Sequence, residues 1–382
     1  MDARGDDQLM GRARALATAV RRRTAPNPWV GCVLVRDGEL VGEGATEPPG
    51  GRHAERRALD VAGARAAGST AYVTLEPCSH DGRTSPCADA LVDAGVTRVV
   101  VALADPDPRV SGGGIALLRA AGISVDVGIG ADAVADDLAP YLHHRSTGRS
   151  YCLVKTALSL DGRVAAADGS SRWITGDAAR ADAHRLRADS QAIVVGSGTA
   201  LADRPTLTAR PTDAPVERQP LRVLLDARGR VPASGPLFEL DLAATLVCTT
   251  EAAPPAVRAE WLAAGAKVEI LPASRSGGVD LRAALELLAR LDVLQAMVEG
   301  GPAVHGALVS AGLLDRLVAY VAGTVLGPDG RAGFDAPFGA GLDAAFPPAL
   351  ADAPRFRLLG AHALGDDVRL DYLPARPTQA RS

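Results

Sequence analysis

Four side chains suited to metal binding or proton transfer lie in two short stretches near the start of the chain. His53 and Glu55 belong to HAE, and Cys78 and Cys87 flank SHDGRTSP, although the whole chain has only seven His and five Cys. One imidazole and two thiolates are ligands that zinc prefers, and three protein ligands leave a fourth position for water, as in catalytic zinc sites. A carboxylate beside the metal can take a proton from that water and hand it to a leaving amine. The spacing therefore predicts a catalytic zinc site with Glu55 as its acid and base.

Structural coincidence is the alternative interpretation of this cluster. A single His-x-Glu is most often part of a surface helix, and two cysteines this far apart are most often unrelated buried thiols. Here, however, EPC ends an apolar strand and PC opens a helix, whose dipole and free N–H groups favour a thiolate. H-x-E followed by P-C-x-x-C is typical of zinc deaminases, although the two cysteines are further apart here. Cys32, Cys152 and Cys248 are interpreted as inert core residues, and His80 as a candidate substrate contact.

The elements that must position these groups alternate between strands and helices. In the first half, strands are predicted over 29–38, 70–75, 98–103 and 123–129, and helices over 9–23, from about 53, from about 86 and near 113–121. The polar stretch RSTGRS places a domain boundary near 148. The alternation then restarts, with strands over 151–158, 191–197, 221–226, 245–250, 294–301 and 316–326 and helices over 177–189, 280–290 and 303–312. This pattern predicts an α/β layer structure.

Composition limits the classes of function. A chain of 382 residues, 47% of them apolar, is long enough for two domains with filled cores. A net charge of −4 and only 3% aromatic residues argue against a nucleic-acid partner, which calls for a basic face and stacking platforms. No apolar run reaches membrane-spanning length and MDARGDDQLM lacks the order of a signal peptide, so a soluble cytoplasmic protein is expected. An odd number of unevenly spaced cysteines argues against a disulfide framework.

The quoted motifs occur within longer stretches that resemble a known family. PNPWVGCVLV, HAE, TLEPCSHDGRTSPC and GVTRVVVALADPDPRV resemble the deaminase half of the bifunctional riboflavin-biosynthesis deaminase–reductases. LVKTALSLDGRVA, SRWITG, HRLRADSQAIVVGSGTALADRPTLTAR, QPLRVLLD and VEGGP resemble the reductase half, so the resemblance covers nearly the whole chain. It implies a cytidine-deaminase-like three-layer domain over 1–148, a dihydrofolate-reductase-like α/β domain over 149–373, and a disordered tail over 374–382.

The resemblance also implies roles for single residues in the first half. It makes His53, Cys78 and Cys87 the zinc ligands and Glu55 the acid and base. Asn27, in PNP, falls where the family contacts the pyrimidine.

In the second half the resemblance implies two sets of contacts. The residues that would touch NADPH are Ala157, Trp173, Thr199, Asp203 and the loop starting at Gly301. Those that would touch the substrate are Ser171, Arg187, Leu207, Arg210 and Glu299. Lys155 would lie beside the reacting sugar, and Lys155 and Asp203 are candidates to donate and relay the proton that accompanies hydride transfer. Arg187 and Arg210 suit a 5-phosphate because a guanidinium offers planar paired donors, although Arg187 alone could equally be a solvent-facing helix residue.

Cofactor binding in the second half cannot be predicted from a dinucleotide fingerprint, because no G-x-G-x-x-G follows a strand. The Gly-rich stretches 196–210 and 298–309 do follow apolar strands, where backbone N–H groups can face an anion; without the resemblance they would be ordinary loop glycines. The chain departs from the family pattern at a few positions. These are Ser85, Asp107, the triplet Gly196-Ser197-Gly198, Arg204 and Ala227, the last of which lacks a hydroxyl that could bond the cofactor.

The function implied by the resemblance is zinc-dependent deamination of a small phosphoribosylaminopyrimidine followed by NADPH-dependent reduction of its ribosyl chain. Neither nucleic acid nor a membrane is an expected partner, and association into a homo-oligomer, a dimer or tetramer, is expected through the reductase domain. Three alternatives remain open: a deaminase whose second domain is inactive, a zinc-stabilised protein that catalyses nothing, and a nucleic-acid base deaminase, against which the charge balance argues.

Overall fold

A computed structural model describes residues 3–79, 86–213, 215–335 and 349–375, so that His80 and Ser85 lie outside the described residues. The chain divides into two compact units, 1–148 and 149–382. Among the residues described, every helix is too short or too polar to cross a membrane.

The first unit is built on a five-stranded sheet in the order β2-β1-β3-β4-β5. Its strands are β1 (Gly31–Arg36), β2 (Glu39–Ala45), β3 (Thr70–Leu75), β4 (Arg98–Leu103) and β5 (Ser124–Val127). β1 runs antiparallel to β2 and β3, whereas β3, β4 and β5 are parallel. Its helices are α1 (Ala3–Thr24), α2 (Ala54–Ala62), α3 (Cys87–Asp93), α4 (Gly113–Ala120), α5 (Ala131–Asp137) and α6 (Ala139–Thr147).

Helices cover both faces of this sheet. Gly31 of β1 faces α1, because a Cβ at that position would lie 1.9 Å from the carbonyl oxygen of Ala13. The next residue, Cys32, points to the other face, where burial and then the nearby charge of Glu55 on α2 raise its pKa. Since successive residues of a strand alternate between faces, α1 and α2 lie on opposite sides of the sheet and the unit has three layers.

Two glycines of β2 let α2 approach the sheet closely. A Cβ at Gly42 would lie 2.3 Å from the carbonyl oxygen of Ala58, and one at Gly44 would lie 2.3 Å from that of Ala54. No side chain fits in either gap, so the first turn of α2, which carries Glu55, is held against the sheet by backbone contact.

The second unit is built on a nine-stranded sheet in the order β11-β10-β9-β8-β12-β6-β13-β16-β15, with a two-stranded ribbon of β7 and β14 beside it. The strands are β6 (Tyr151–Ser159), β7 (Arg163–Ala165), β8 (Ala192–Gly196), β9 (Leu221–Leu225), β10 (Thr245–Thr249), β11 (Lys267–Ile270), β12 (Gln295–Gly300), β13 (Arg316–Ala322), β14 (Arg331–Ala332), β15 (Phe356–Leu364) and β16 (Asp367–Pro374). The first seven strands of this order, from β11 through β13, are parallel to one another. β16 pairs antiparallel with β13, and β15 pairs antiparallel with β16.

Apolar side chains pack on both faces of the larger sheet. Val154 and Val194 belong to one buried cluster, whereas their neighbours Leu153 and Ile193 belong to another. This alternation explains why the central strands read as continuous apolar runs. The helices are α7 (Asp177–Ala188), α8 (Ser197–Asp203), α9 (Pro255–Ala263), α10 (Leu281–Arg290) and α11 (Pro302–Ser310).

The predicted α/β class is confirmed, and most predicted elements lie within a few residues of those observed. Sequence reasoning missed β2 and the hairpin of β15 and β16, whose side chains are exposed at many positions and therefore lack an apolar run. It also extended one strand to 326, whereas β13 ends at Ala322. The predicted first residue of the disordered tail, 374, is too early in the chain. Pro374 still pairs with Phe356, and the N–H of Ala375 donates to the carbonyl of Arg355.

The contact between β2 and α2 can be tested by adding one methyl group. We expect Gly44→Ala to lower the free energy of unfolding of the first unit by about 2 kcal/mol or more, because the methyl group meets backbone rather than a movable side chain. Gly11→Ala is the matched control, since Gly11 lies in α1 with nothing within 4 Å of its added Cβ. The control should gain about 0.5–1 kcal/mol from helix propensity. Equal effects in urea unfolding would contradict this packing argument.

Candidate active sites

The three predicted metal ligands come from three separate elements of the first unit. His53 is the extended residue immediately before α2, Cys78 follows the end of β3, and Cys87 is the first residue of α3. Pro86 is the N-cap residue of α3. The carboxyl end of a strand and the starts of two helices therefore meet at one point.

The spacing of the donor atoms fits a single zinc ion. Nδ1 of His53 lies 3.6 Å from Sγ of Cys78 and 3.4 Å from Sγ of Cys87, and all three ligand atoms lie within 4.8 Å of one another. Tetrahedral zinc with ordinary Zn–N and Zn–S bonds places such atoms about 3.6 Å apart. In the described part of the chain, this is the one group of three His, Cys, Asp or Glu ligand atoms within such reach.

Local hydrogen bonds favour the thiolate form that a metal needs. The thiol of Cys87, the ring of His53 and the backbone N–H of Cys87, which lies 3.3 Å from Sγ, together lower the pKa of Cys78 to about 4. The same contact, and after it burial, raise the pKa of Cys87. The hydrogen bond to Cys78 also raises the pKa of His53. The protonation states of the three ligand residues thus depend on one another.

Glu55 lies beside the three ligand residues and is almost completely buried, with 4% of its surface exposed. Burial, and after it the negative charge of Cys78, raise the pKa of Glu55 to about 7. A carboxyl group with a pKa near neutrality can both accept and donate a proton, which is what a proton shuttle requires.

Glu76 is a residue of this site that the sequence reasoning missed. Its side chain is 4% exposed and accepts hydrogen bonds from the backbone N–H groups of Asp105 at 3.2 Å, Gly112 at 3.0 Å and Ile115 at 3.1 Å. A carboxylate directly after a strand, two residues before a ligand cysteine, was the available signal. Glu76 ties the segment that carries Cys78 to the loop after β4 and to the start of α4.

The start of α4 also packs directly on the segment that carries the ligand. A Cβ at Gly114 would lie 1.9 Å from the carbonyl oxygen of Pro77, and one at Gly113 would lie 2.6 Å from the hydroxyl of Ser79. Residues 77–79 are therefore fixed from one side by close backbone packing and by the anchor at Glu76.

Two further residues of the first unit were singled out by sequence. Asn27 lies in the turn between α1 and β1, where its N–H donates to the carbonyl of Thr24 at 2.8 Å; its contact with the pyrimidine stays a prediction. Asp107, which departs from the family pattern, is buried and bonds Arg109 at 2.7 Å. The Arg109 hydrogen bond holds the pKa of Asp107 at about 2, so the charge introduced by this departure is balanced locally.

In the second unit, one cavity of about 1630 Å³ collects the predicted reductase residues. Its lining includes Lys155, Ala157, Ser171, Trp173, Arg187, Thr199, Asp203, Leu207, Arg210, Glu299 and Gly301. The departures Arg204 and Ala227 line it as well. Glu299 and Gly301 lie at the carboxyl end of β12, and Thr199 and Asp203 lie in α8 directly after β8, at the edge of a parallel sheet where ligands bind.

Charged groups are concentrated at the β6 and β12 side of this cavity. Burial alone would raise the pKa of Glu299, but the Arg187 guanidinium and the Lys155 ammonium lower it to about 2. Desolvation lowers the pKa of Lys155, and burial together with Arg187 and Arg210 lowers the pKa of His184 to about 4. Three cations around one carboxylate and a neutral imidazole leave net positive charge for an anionic ligand.

Arg187 does not direct its paired donors at the open cavity. Nε and Nη2 donate to the carboxylate of Glu299, the latter at 2.7 Å, and Nη1 donates to the carbonyl oxygen of Thr208 at 3.0 Å. Nη1 of Arg210 donates instead to the hydroxyl of Thr208 at 2.7 Å. Of the two arginines expected to hold a phosphate, Arg210 is therefore the one bonded only to exchangeable hydroxyl groups.

The predicted cofactor residues form two smaller groups. The hydroxyl of Ser171 donates to Asp203 at 3.1 Å. A Cβ at Gly301 would lie 2.9 Å from Oγ1 of Thr199, so Thr199 leaves room for nothing larger than glycine there. Trp173 is 70% exposed at the cavity wall, with the guanidinium of Arg180 4.6 Å from its ring. Among the described residues no hydrogen bond joins Asp203 to Lys155, and their joint role in proton transfer stays a prediction.

Both halves of the chain match known families. The family described as the cytidine and deoxycytidylate deaminase zinc-binding region matches residues 4–103, and the RibD C-terminal domain matches residues 150–370. The riboflavin biosynthesis protein RibD of Escherichia coli strain K12 is 40% identical over 380 residues, which cover 97% of this chain and 100% of that protein.

Solved structures agree with these matches. Acinetobacter baumannii RibD, form 1, superimposes with a TM-score of 0.87 at 39% identity, covering 98% of this chain and 100% of that one. A diaminohydroxyphosphoribosylaminopyrimidine deaminase/5-amino-6-(5-phosphoribosylamino)uracil reductase from Thermotoga maritima superimposes with a TM-score of 0.83 at 30% identity, covering 98% and 99%. Both likenesses extend over the two units together.

The anchoring role of Glu76 can be measured as zinc affinity. In Glu76→Gln an amide group must face N–H donors that now meet a carboxylate oxygen, so residues 77–79 should loosen. We expect the dissociation constant for zinc to rise about 10- to 100-fold, as measured by competition with a chelator. Glu39→Gln, at an exposed position of β2, is the control and should bind zinc like the unmodified protein. Unchanged affinity in Glu76→Gln, with the fold verified by circular dichroism, would contradict the role.

Proposed function

This chain belongs to the family of bifunctional deaminase–reductases of riboflavin biosynthesis, and we propose that residues 1–148 are its deaminase domain and residues 149–373 its reductase domain. The protein is an enzyme with a zinc-binding deaminase half and a reductase half of the NADPH-using type. The division into compact units at residue 148 supports these boundaries.

The proposed substrate of the first half is 2,5-diamino-6-(5-phosphoribosylamino)pyrimidin-4-one, and the proposed product of the second is 5-amino-6-(5-phosphoribitylamino)uracil. The name of the Thermotoga maritima relative supports this assignment. In the first reaction water adds to the amino-bearing ring carbon and ammonia leaves. In the second, the C1′–O4′ bond of the ribosyl ring opens to give an imine and a 4′-hydroxyl group, and the imine gains a hydride at C1′ and a proton at nitrogen.

One observation supports deamination most directly. His53, Cys78 and Cys87 present three donor atoms at the distances that a bound zinc ion requires, beside the buried carboxyl group of Glu55. When bound there, zinc supplies the Lewis acidity that makes a water molecule nucleophilic near neutral pH. The carboxylate of Glu55 accepts the proton of the attacking water and returns it to the departing amine. Asn27 is proposed to orient the pyrimidine ring.

For reduction, NADPH supplies the hydride when it is bound in the cavity, along Ala157, Trp173, Thr199, Asp203 and Gly301. Lys155 is proposed to donate from Nζ, whose pKa desolvation lowers, the proton that the nitrogen of the open-chain imine gains. Asp203 is proposed to relay that proton, and Ser171 and Leu207 to contact the substrate.

The arginines of the cavity are assigned different tasks. Arg210 is proposed to bind the 5-phosphate, together with the hydroxyl of Thr208. Arg187 is proposed to hold Glu299 at the cavity wall through its two-point contact, and Glu299 can then accept a hydroxyl group of the sugar. This division follows from the existing hydrogen bonds. The guanidinium of Arg187 already donates to Glu299 and to the carbonyl of Thr208, whereas that of Arg210 donates to the hydroxyl of Thr208.

An enzyme with an inactive second domain is the weaker reading. The departures from the family pattern would favour an inactive reductase domain, but Arg204 and Ala227 line the cavity without filling it. A zinc protein without catalysis would have no use for a buried carboxyl group of raised pKa beside the donor atoms. The proposed bifunctional activity accounts for the chemistry of both sites.

Single substitutions should separate the two activities. We expect Glu55→Ala to keep zinc bound and to lose ammonia release by about 10²- to 10⁴-fold, the usual contribution of a positioned acid and base. It should still oxidise NADPH when supplied with the deaminated intermediate. Lys155→Met is the reciprocal variant, which should release ammonia normally while NADPH oxidation falls. Loss of both activities in either variant, or loss of zinc from Glu55→Ala, would contradict the assigned roles.

Association into a homo-oligomer is proposed to occur through β15. This strand is the edge of the larger sheet, and it exposes apolar surface at Leu358, which is 49% exposed. A long exposed edge strand is a ready template for pairing with a second chain. The proposed compartment is the cytoplasm, which the five free cysteines support; cell fractionation would test it.

Light scattering can test this edge. The unmodified protein should have at least the mass of a dimer, and Leu358→Lys should shift it toward the monomer because a charge on the edge opposes pairing. Leu262→Lys, on α9 and 57% exposed, is the matched control and should leave the mass unchanged. A monomeric unmodified protein, or an unchanged mass for Leu358→Lys, would overturn the proposal.

A further inference from the structure

One contact of Lys155 has no part in the functions described above. Nζ of Lys155 lies 5.7 Å from the centre of the Tyr320 ring, and Tyr320 is only 1% exposed. A cation within about 6 Å of an aromatic ring centre is attracted by the negative charge above the ring face, most strongly where water is excluded. In the part of the chain that the structure describes, no hydrogen bond or ion pair ties Nζ of Lys155. The ring of Tyr320 is therefore the close partner of this ammonium group.

The register of the sheet brings these two side chains together. β13 runs parallel to β6, and Val318 lies opposite Lys155. Tyr320 lies opposite Ala157. Leu153, Val318 and Tyr320 belong to one buried cluster. Lys155 points to the same face as Leu153, because residues two apart in a strand share a face. Tyr320 is thus the same-face neighbour of Lys155, two positions nearer the carboxyl ends of the strands.

A buried carboxylate on α7 fixes the ring of Tyr320. The hydroxyl of Tyr320 donates to Oδ2 of Asp182 at 2.7 Å, and Nη1 of Arg369 donates to the same oxygen at 2.9 Å. Arg369, which pairs with Tyr320 across β13 and β16, also donates to the carboxylate of Asp371 at 2.7 and 2.8 Å. Burial, and after it the hydrogen bond to Asp182, raise the pKa of Tyr320, so the ring stays neutral. The ring therefore cannot swing away from β6 without breaking a charge-assisted hydrogen bond.

The other groups that interact electrostatically with Lys155 keep one charge state at alkaline pH. These groups are Glu299 of β12, Arg187 and His184 of α7, and His305 of α11. The pKa of Glu299 lies at about 2, and burial lowers the pKa of both histidines to about 4. A guanidinium stays charged throughout. Of this group, Lys155 is therefore the member whose charge changes as the pH rises above neutrality.

We propose that Tyr320 is a positioning residue of the reductase half, whose ring face holds the ammonium group of Lys155 where the nitrogen of the open-chain imine is protonated. This proposal rests on the proposed reductase function and extends it from the acid to the residue that presents the acid. The attraction to the ring also favours the charged form of Lys155, which is the form that can donate a proton. The described lining of the cavity includes Lys155 but neither Tyr320 nor Asp182, so this pair acts through the lysine.

The pH dependence of NADPH oxidation by the full chain, supplied with the deaminated intermediate, tests this role. The rate should fall as the pH rises through the pKa of Lys155, because only the ammonium form donates a proton. In Tyr320→Leu we expect this alkaline limb to move to lower pH by about 0.5–1 unit, the size of one cation–π contact. Tyr320→Phe retains the ring face and should keep the limb where the unmodified protein has it. Ammonia release by the first unit is the internal control and should be the same in all three proteins.

A ring of altered charge separates positioning from packing. Pentafluorophenylalanine in place of Tyr320 keeps the shape of phenylalanine but removes negative charge from the ring face, so its alkaline limb should lie at lower pH than that of Tyr320→Phe. This comparison also serves if thermal melting shows that Tyr320→Leu folds poorly. Equal limbs for the two rings, or an unmoved limb in a folded Tyr320→Leu, would refute the positioning role. If the unmodified protein shows no alkaline limb, or Lys155→Met still oxidises NADPH at the full rate, the role of Lys155 as the acid is refuted, and the role of Tyr320 with it.

Discussion

A buried carboxylate that directly follows a parallel strand and accepts several backbone N–H groups is the interaction on which both sites depend. Glu76 follows β3 directly and accepts three such groups; Asp226 follows β9 directly and also accepts three. A buried charge is stable only when hydrogen bonds replace its water, so each carboxylate obliges the chain around it to adopt one conformation. In the first unit this fixes the segment with Cys78, and in the second the loop with Arg228.

In each unit the proposed active site lies at the carboxyl ends of the parallel strands of that unit's own sheet. In the first unit that edge meets the starts of α2 and α3, which carry Glu55 and Cys87. In the second unit the edge is longer, because seven strands are parallel, and the cavity beside it can accept a dinucleotide and a sugar phosphate together.

Electrostatics divides the larger cavity into regions. Around Lys155 and Glu299 the charges are paired and partly buried, so the pKa values of both groups are lowered. At the other end, Arg228, Arg230, Arg275 and Arg282 line the cavity, and the carboxylates of Asp226 and Asp280 accept backbone N–H groups. Positive charge therefore lies at both ends of the cavity.

The sequence by itself determined the metal donor set, the α/β class and most strands and helices, because these depend on residue type and on local periodicity. His53, Glu55, Cys78 and Cys87 could be selected for their chemistry before their distances were known. The partners of Arg187, the anchoring by Glu76 and the hairpin at the sheet edge were decided only by the tertiary structure. Each depends on contacts between segments far apart in the chain, such as Arg187 with Glu299, which lie 112 positions apart. Spacing along a sequence does not encode which of several possible partners a buried charge will meet.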